Sequence, residues 1–263
     1  VHSGDVEAFL ADTLPRYVEY TGELAEARIR SLVEEQRFFE THWLATEGLV
    51  DLDRFAAMFG VIGLAECVEL LLAYEGRDRD GAARYGHDAA ADELAIRLIE
   101  RIAELVDARP MPYSNGHGGA SYLHSQGGID TDDAVTAGTR IPVGDEPPML
   151  DHIHTCAPHH HLFTAGISDI FHVDETAVRN PEALVDIIRG AFASGMRDFT
   201  FNLADNDFVR ITGYLVRKSD LQRVDDAAQV RHGSDHFAAA SEEAYHLTGR
   251  AVKRVGCHER APR

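Results

Sequence analysis

Positive charge is what this sequence lacks most. Its 263 residues carry 25 Lys and Arg against 44 Asp and Glu, a formal net charge of −19. Proteins that grip a phosphate backbone carry basic stripes and release counterions on binding, so nucleic acid is excluded as a general partner, and an anionic membrane surface with it. Cysteine is nearly as scarce. Cys67, Cys156 and Cys257 are too few and too scattered for a disulfide framework or a zinc ribbon, which points to a reducing, cytoplasmic setting. Neither a basic nor an apolar region of a secretory signal occurs in Val1-His2-Ser3-Gly4-Asp5. Val1 in place of Met implies either a rare start codon or the later part of a longer protein. The longest apolar stretch, Phe55 to Tyr74, is interrupted by Gly60, Gly63, Glu66 and Glu69, and reads as buried helices rather than a bilayer span. No internal repeat is present. What remains is ordinary globular composition, 44% hydrophobic and 26% charged, in a chain long enough to bury a large core.

The first hundred residues read as helical. Thr13 is a candidate N-cap with Pro15 in the first turn, and an apolar pattern runs through Leu24, Ile29, Leu32, Val33, Phe39 and Trp43 to Gly48. A second helical block covers Asp53 to Glu75. A third runs from about Asp88 to Ala108, with Leu94, Leu98, Ile102 and Leu105 on one face, and Arg109-Pro110 stops it. From 110 to 175 the helical period disappears and Gly, Pro, His, Ser and Asp dominate, as in an irregular segment that lines a site. The glycines Gly116, Gly118, Gly119, Gly127 and Gly128 lack the Gly-Lys-Ser/Thr of a phosphate loop. Regular structure resumes with Asn180-Pro181 as a helix start, Leu184, Ile187, Ile188 and Phe192 on a helix face, and Gly195 as its stop. Residues 198–203 alternate as a strand. The polar tail holds one further candidate helix, Ser241 to Val252.

The string Arg210-Ile-Thr-Gly-Tyr214, following that strand, carries the most chemistry. A radical on a backbone Cα is delocalised between the flanking amide and carbonyl only if the Cα is planar. Glycine alone has no side chain to twist that plane or to block an abstracting group. The string resembles the glycyl radical signature, and the resemblance extends to the YjjI-type branch of the glycyl radical enzyme superfamily, to which pyruvate formate-lyase belongs. It is carried by Met58-Phe59-Gly60 with Gly63-Leu64-Ala65-Glu66, Ala83 to Gly86, Arg140 to Pro147, Ala157-Pro158-His159-His160 and Gly166 to Ile170. Asp174-Glu175-Thr176, Asn180-Pro181, Arg210 to Tyr214, Val216-Arg217 and Ser219-Asp220-Leu221 complete it.

The resemblance implies an α/β fold: the C-terminal portion of a ten-stranded α/β barrel, with a helix-rich part over 1–109 and a radical-bearing part over 110–263, together one incomplete domain. It implies Gly213 as the radical-storage residue, Arg210 and Tyr214 as its supporting loop, and an anaerobic setting in which oxygen would cut the chain at Gly213. It implies no bound cofactor. The radical is installed by a partner, an iron–sulfur activase that cleaves S-adenosylmethionine, and a thiyl then attacks a C–H bond of a small organic substrate. Family members are nearly twice this length and carry the thiyl cysteine in the half not present here, so the chain needs that half, or a homo-oligomer. The alternative is a non-catalytic radical-carrying subunit or a remnant.

Cys67-Val68-Glu69 superficially matches a Cys-x-Glu pair, but it falls in an apolar helical block where an inert thiol is the ordinary state. The stretch from His152 to His161 brings a third reading, a His-rich metal-binding protein. Against it, adjacent imidazoles on an extended chain point to opposite faces, and no HExxH or CxxC accompanies them. No metal ligands are assigned. His159 and His160 are instead expected at the polar end of the substrate cavity, with a hydrogen-bonded core pair as the plain alternative.

Overall fold

The computed structural model describes residues 5–77, 83–125, 136–142, 144–167, 169–174, 176, 179–203, 208–211, 214–217 and 219. Residues 221–263, with the candidate helix from Ser241 and Cys257, lie outside them.

The polypeptide enters a helix earlier than Thr13. Asp5 caps a first turn, Val6–Ala8, by accepting the Ala8 amide at 2.6 Å. Phe9–Thr13 then widens into a π-type turn that leads directly into α1, Leu14–Arg30. Thr13 has helical dihedrals and makes no side-chain cap, so Pro15 marks a defect within a helix rather than its start. Proline supplies no amide donor. The Leu10 carbonyl, in the widened turn ahead of it, is met from outside by Arg101 Nε at 3.4 Å. The expected continuation to Gly48 also breaks. A second π-type turn covers Ser31–Glu35, Arg37 adopts a left-handed φ of 51°, and only short turns follow.

The block from Asp53 to Glu75 is not wholly helical either. Ala57–Gly60 is a strand, β1, with Ala57 and Phe59 buried and Met58 and Gly60 exposed. It pairs in parallel with β2, Ser121–His124. Helix α2, Leu64–Tyr74, follows, turning Leu64, Ala65, Val68, Leu71 and Leu72 inward. Helix α3, Ala89–Ala108, begins at Asp88, whose carboxylate accepts the amides of Ala90 and Ala91 at 3.0 Å each. Its face of Leu94, Ala95, Leu98 and Ile99 is buried, with Ile102 and Leu105 packed alongside.

The segment expected to be irregular contains helix α4, Met149–Cys156, running into a 3₁₀ turn at Ala157–Leu162. Strand β3, Ile170–Val173, pairs in parallel with β4, Thr200–Leu203, and between them lies α5, Pro181–Ala193. Asn180 caps α5 through the Ala183 amide at 3.3 Å. Strands β5, Phe208–Ile211, and β6, Tyr214–Arg217, pair antiparallel. A parallel bridge between Ser125 and Ile167 leads from β2 toward β3.

The fold is thus mixed α/β. Among the described residues the strands form three two-stranded sheets, and a ten-stranded barrel is not shown. One core joins α2 and α3 to β1, β2, Ile141, Phe163 and Ile167, drawing on residues from both sides of Arg109. A smaller one gathers Ile153, Ala157, Phe171, Ala191 and Met196. No described helix is long and apolar enough to cross a membrane.

Candidate functional site

Four of the short blocks singled out in the sequence converge in space. The turn carrying Arg84, Tyr85 and Gly86 packs on the segment from Thr139 to Asp145. Arg84 pairs with Asp145 at 2.6 Å, and the Tyr85 hydroxyl donates to the Thr139 carbonyl at 2.8 Å. Gly86 has a φ of +88°, a backbone conformation that favours glycine, and a Cβ there would press on the end of the Ile141 side chain, with Cδ1 at 2.6 Å. The 3₁₀ turn after α4 then brings two buried imidazoles, His159 and His160, into this region, and Asp169 arrives from the approach to β3.

The hydrogen bonds fix the state of both rings. Because the Tyr85 hydroxyl gives its proton to Thr139, it accepts from His159 Nε2 at 3.1 Å. This leaves His159 Nδ1 as a buried lone pair with no partner among the described residues. The Arg197 amide can only donate, and it does so to His160 Nδ1 at 3.0 Å. His160 Nε2 therefore carries the proton directed at Asp169 Oδ2, 3.1 Å away. Both histidines and Asp169 are buried. Burial pushes His159 down to about 4 against an opposing pull from Asp169, and drives the Tyr85 phenol well above its ordinary value. Burial alone would raise Asp169, but the hydrogen bond from His160 and the nearby His152 outweigh it and hold the carboxyl low.

Beside Asp169 stand two residues of one helix face, His152 and Cys156, a turn apart on α4. The His152 ring tilts against Phe171 with centroids 4.5 Å apart, and burial lowers its proton affinity. Cys156 is a free, buried thiol raised well above its usual value by burial and by Asp169. One donor atom each from His152, Cys156 and Asp169 lies within 4.8 Å of the others. On an extended chain neighbouring imidazoles of this stretch would point to opposite faces. The helix and the 3₁₀ turn replace that geometry: they gather His152 and Cys156 on one side and send His159 and His160 to different partners.

On the outer side of the same helix a cleft of about 350 Å³ is lined by Gly86, His87, Asp92, Asp151, His154 and Thr155, among others. Asp92 bridges its walls. It accepts the Gly86 amide at 2.7 Å and the Thr155 hydroxyl at 3.1 Å, and burial raises its carboxyl. This carboxylate was not singled out in the sequence. Its only signal was its place in the first turn of a helix.

The glycine string is described only at its flanks. Arg210 lies opposite Leu215 in the β5–β6 ladder, and Ile211 lies opposite Tyr214. Thr212 and Gly213 fall outside the described residues. Cys67 packs against the main core, where burial and the neighbouring Glu66 push its thiol up to about 11.

A family model described as "Glycyl radical enzyme YjjI-like" matches residues 1–253. The chain is 46% identical over 221 residues to a protein of Escherichia coli K12 named "Uncharacterized protein YjjI", covering 84% of this chain and 42% of that one. It is 31% identical over 250 residues to an "Uncharacterized protein" of Haemophilus influenzae Rd, covering 94% of this chain and 48% of that one. The chain therefore spans about half the length of the curated relatives it matches.

Proposed function

From a chain that belongs to the YjjI-like glycyl radical enzyme family, we propose the function of storing a radical on Gly213 for C–H chemistry in the absence of oxygen. The observation that carries this reading is the Arg210-Ile-Thr-Gly-Tyr214 string, flanked by two antiparallel strands, in a member of that family. Arg210 and Tyr214 would support the glycine from those strands. The generator would be an iron–sulfur activase. One electron from the reductant, passed through the activase's cluster, would break the C5′–S bond of S-adenosylmethionine to release methionine and a deoxyadenosyl radical, which would take one hydrogen atom from the Gly213 Cα and leave as deoxyadenosine. The glycyl radical would then recover a hydrogen atom from a cysteine thiol, and the resulting thiyl would take one from a small organic substrate.

The relatives' greater length supports placing that cysteine in the half absent from this chain, within a barrel that the two halves complete. The same span favours a second reading, a radical-carrying subunit that works only beside a separate N-terminal half. Cytoplasmic residence is part of the proposal.

Anaerobic electron paramagnetic resonance after incubation with a cognate activase, S-adenosylmethionine and reductant tests the storage step. The expected result is a doublet in the wild type that is absent in Gly213→Ala, followed by chain scission at residue 213 on admitting air. No doublet from a folded chain that binds its activase would overturn the reading. A doublet that supports turnover only after a relative's N-terminal half is added would select the subunit reading.

A further inference from the structure

Asp169 poses a charge problem. Its carboxylate is 1% exposed, and the imidazole that meets Oδ2 is a neutral tautomer, because the Arg197 amide occupies the other ring nitrogen. Oδ1 has no hydrogen-bond partner of ordinary geometry among the described residues. A buried anion without a cation is costly, and no Lys or Arg nitrogen is placed within ion-pair distance of Asp169 among the described residues. The groups that do face it are a thiol and an imidazole, one helical turn apart.

We propose that His152, Cys156 and Asp169 form a binding site for a divalent transition metal ion of the zinc type. Nitrogen, sulfur and oxygen donors suit such an ion, and the charges balance: a thiolate, a carboxylate and a neutral imidazole cancel two positive charges. On binding, the Cys156 S–H proton leaves to solvent as the Sγ–metal bond forms, with no change of oxidation state. The i, i+4 spacing on α4 supplies two ligands from one rigid face, and the residue immediately before β3 supplies the third. A tetrahedral ion with bonds of about 2.0–2.3 Å holds its donors roughly 3.5 Å apart, so donors that all lie within 4.8 Å of one another need to close by at most about an ångström. His160 is the outer partner that orients the ligating carboxylate. Three protein ligands leave a fourth position for water or a small molecule. The inference stands apart from the radical reading, since it uses no residue from 210 to 214.

The test is Co²⁺ titration of the metal-free full chain under anaerobic conditions, read by absorption. Cys67→Ser with Cys257→Ser gives a background in which Cys156 is the one remaining thiol. One Co²⁺ per chain is expected, with intense tetrahedral d–d bands and a thiolate charge-transfer band that the background retains. Cys156→Ser removes the charge-transfer band, and Asp169→Asn, which keeps the shape, weakens binding at least tenfold. Zn²⁺ displaces the cobalt. A cooperatively melting chain that takes up no Co²⁺ overturns the proposal, as does a bound ion without a thiolate band in the background. If Cys156→Ser does not fold, the background spectrum still assigns the sulfur. Asp169→Asn binding as tightly as the wild type overturns the ligand set.

Discussion

Tyr85 holds together residues that are far apart in sequence. Its hydroxyl gives one hydrogen bond to the Thr139 carbonyl and takes one from His159, so Tyr85→Phe leaves both partners buried and unsatisfied. The expected cost is about 1–3 kcal/mol, read from the shift of a urea midpoint at unchanged slope. His159 gives a pH signature. Its folded value is about 4 against an ordinary 6.5, so between those limits the unfolded chain binds the extra proton and the folded chain refuses it. Stability is therefore full above about pH 6.5 and falls as pH drops toward 4, by up to about 3 kcal/mol. Asp92, with its raised carboxyl, works in the opposite sense and takes up its proton more readily when folded. His159→Gln should flatten the loss over this window. An unchanged acid slope in that variant would show that other groups set it.

At the scale of elements, the two sharpest expectations concern a cap and a glycine. Asp88→Ala frees the Ala90 and Ala91 amides at the head of α3 and should cost about 1 kcal/mol. Gly138 has a φ of +59°, and a Cβ there would run into the backbone carbonyl of Ser125. Neither the backbone dihedral nor the carbonyl can yield cheaply, so Gly138→Ala should cost at least about 2 kcal/mol. Thermal unfolding of the two variants side by side checks the order. Helix α3 was legible because Asp88, the Leu94-Leu98 spacing and Arg109-Pro110 all agree. Strand β4 and the Asn180 cap were legible for the same reason. Strand β1 was missed because four residues of alternation sit inside a longer apolar run, and only pairing with β2 selects the extended form. Helix α4 was hidden by its neighbours' glycines and prolines. With it went the one-turn proximity of His152 and Cys156, which an extended chain would hold about 13 Å apart. That His159 would meet a tyrosine and His160 an aspartate depends on contacts across 74 and 9 residues, and no local pattern encodes the first of these.

At the scale of the whole molecule, apolar surface remains uncovered in specific places. Tyr17, Tyr20 and Leu24 on α1 are 55%, 55% and 61% exposed, and Val185 and Phe192 on α5 are 44% and 49% exposed. Scattered apolar side chains are normal on a protein surface, whereas several on one helix mark a contact waiting for a partner. Residues 17, 20 and 24 recur at helical spacing along one stripe of α1, which removes the reading of chance scatter there. In a chain spanning about half the length of its relatives, that stripe is expected to drive association when the chain is held alone. Sedimentation velocity over a hundredfold range of concentration should show a rising weight-average coefficient. Leu24→Glu places a charge on the most exposed member of the stripe and should return the chain toward a monomer without lowering its melting temperature. A wild-type chain that stays monomeric and melts cooperatively across the whole range would show that α1 is an ordinary solvated face.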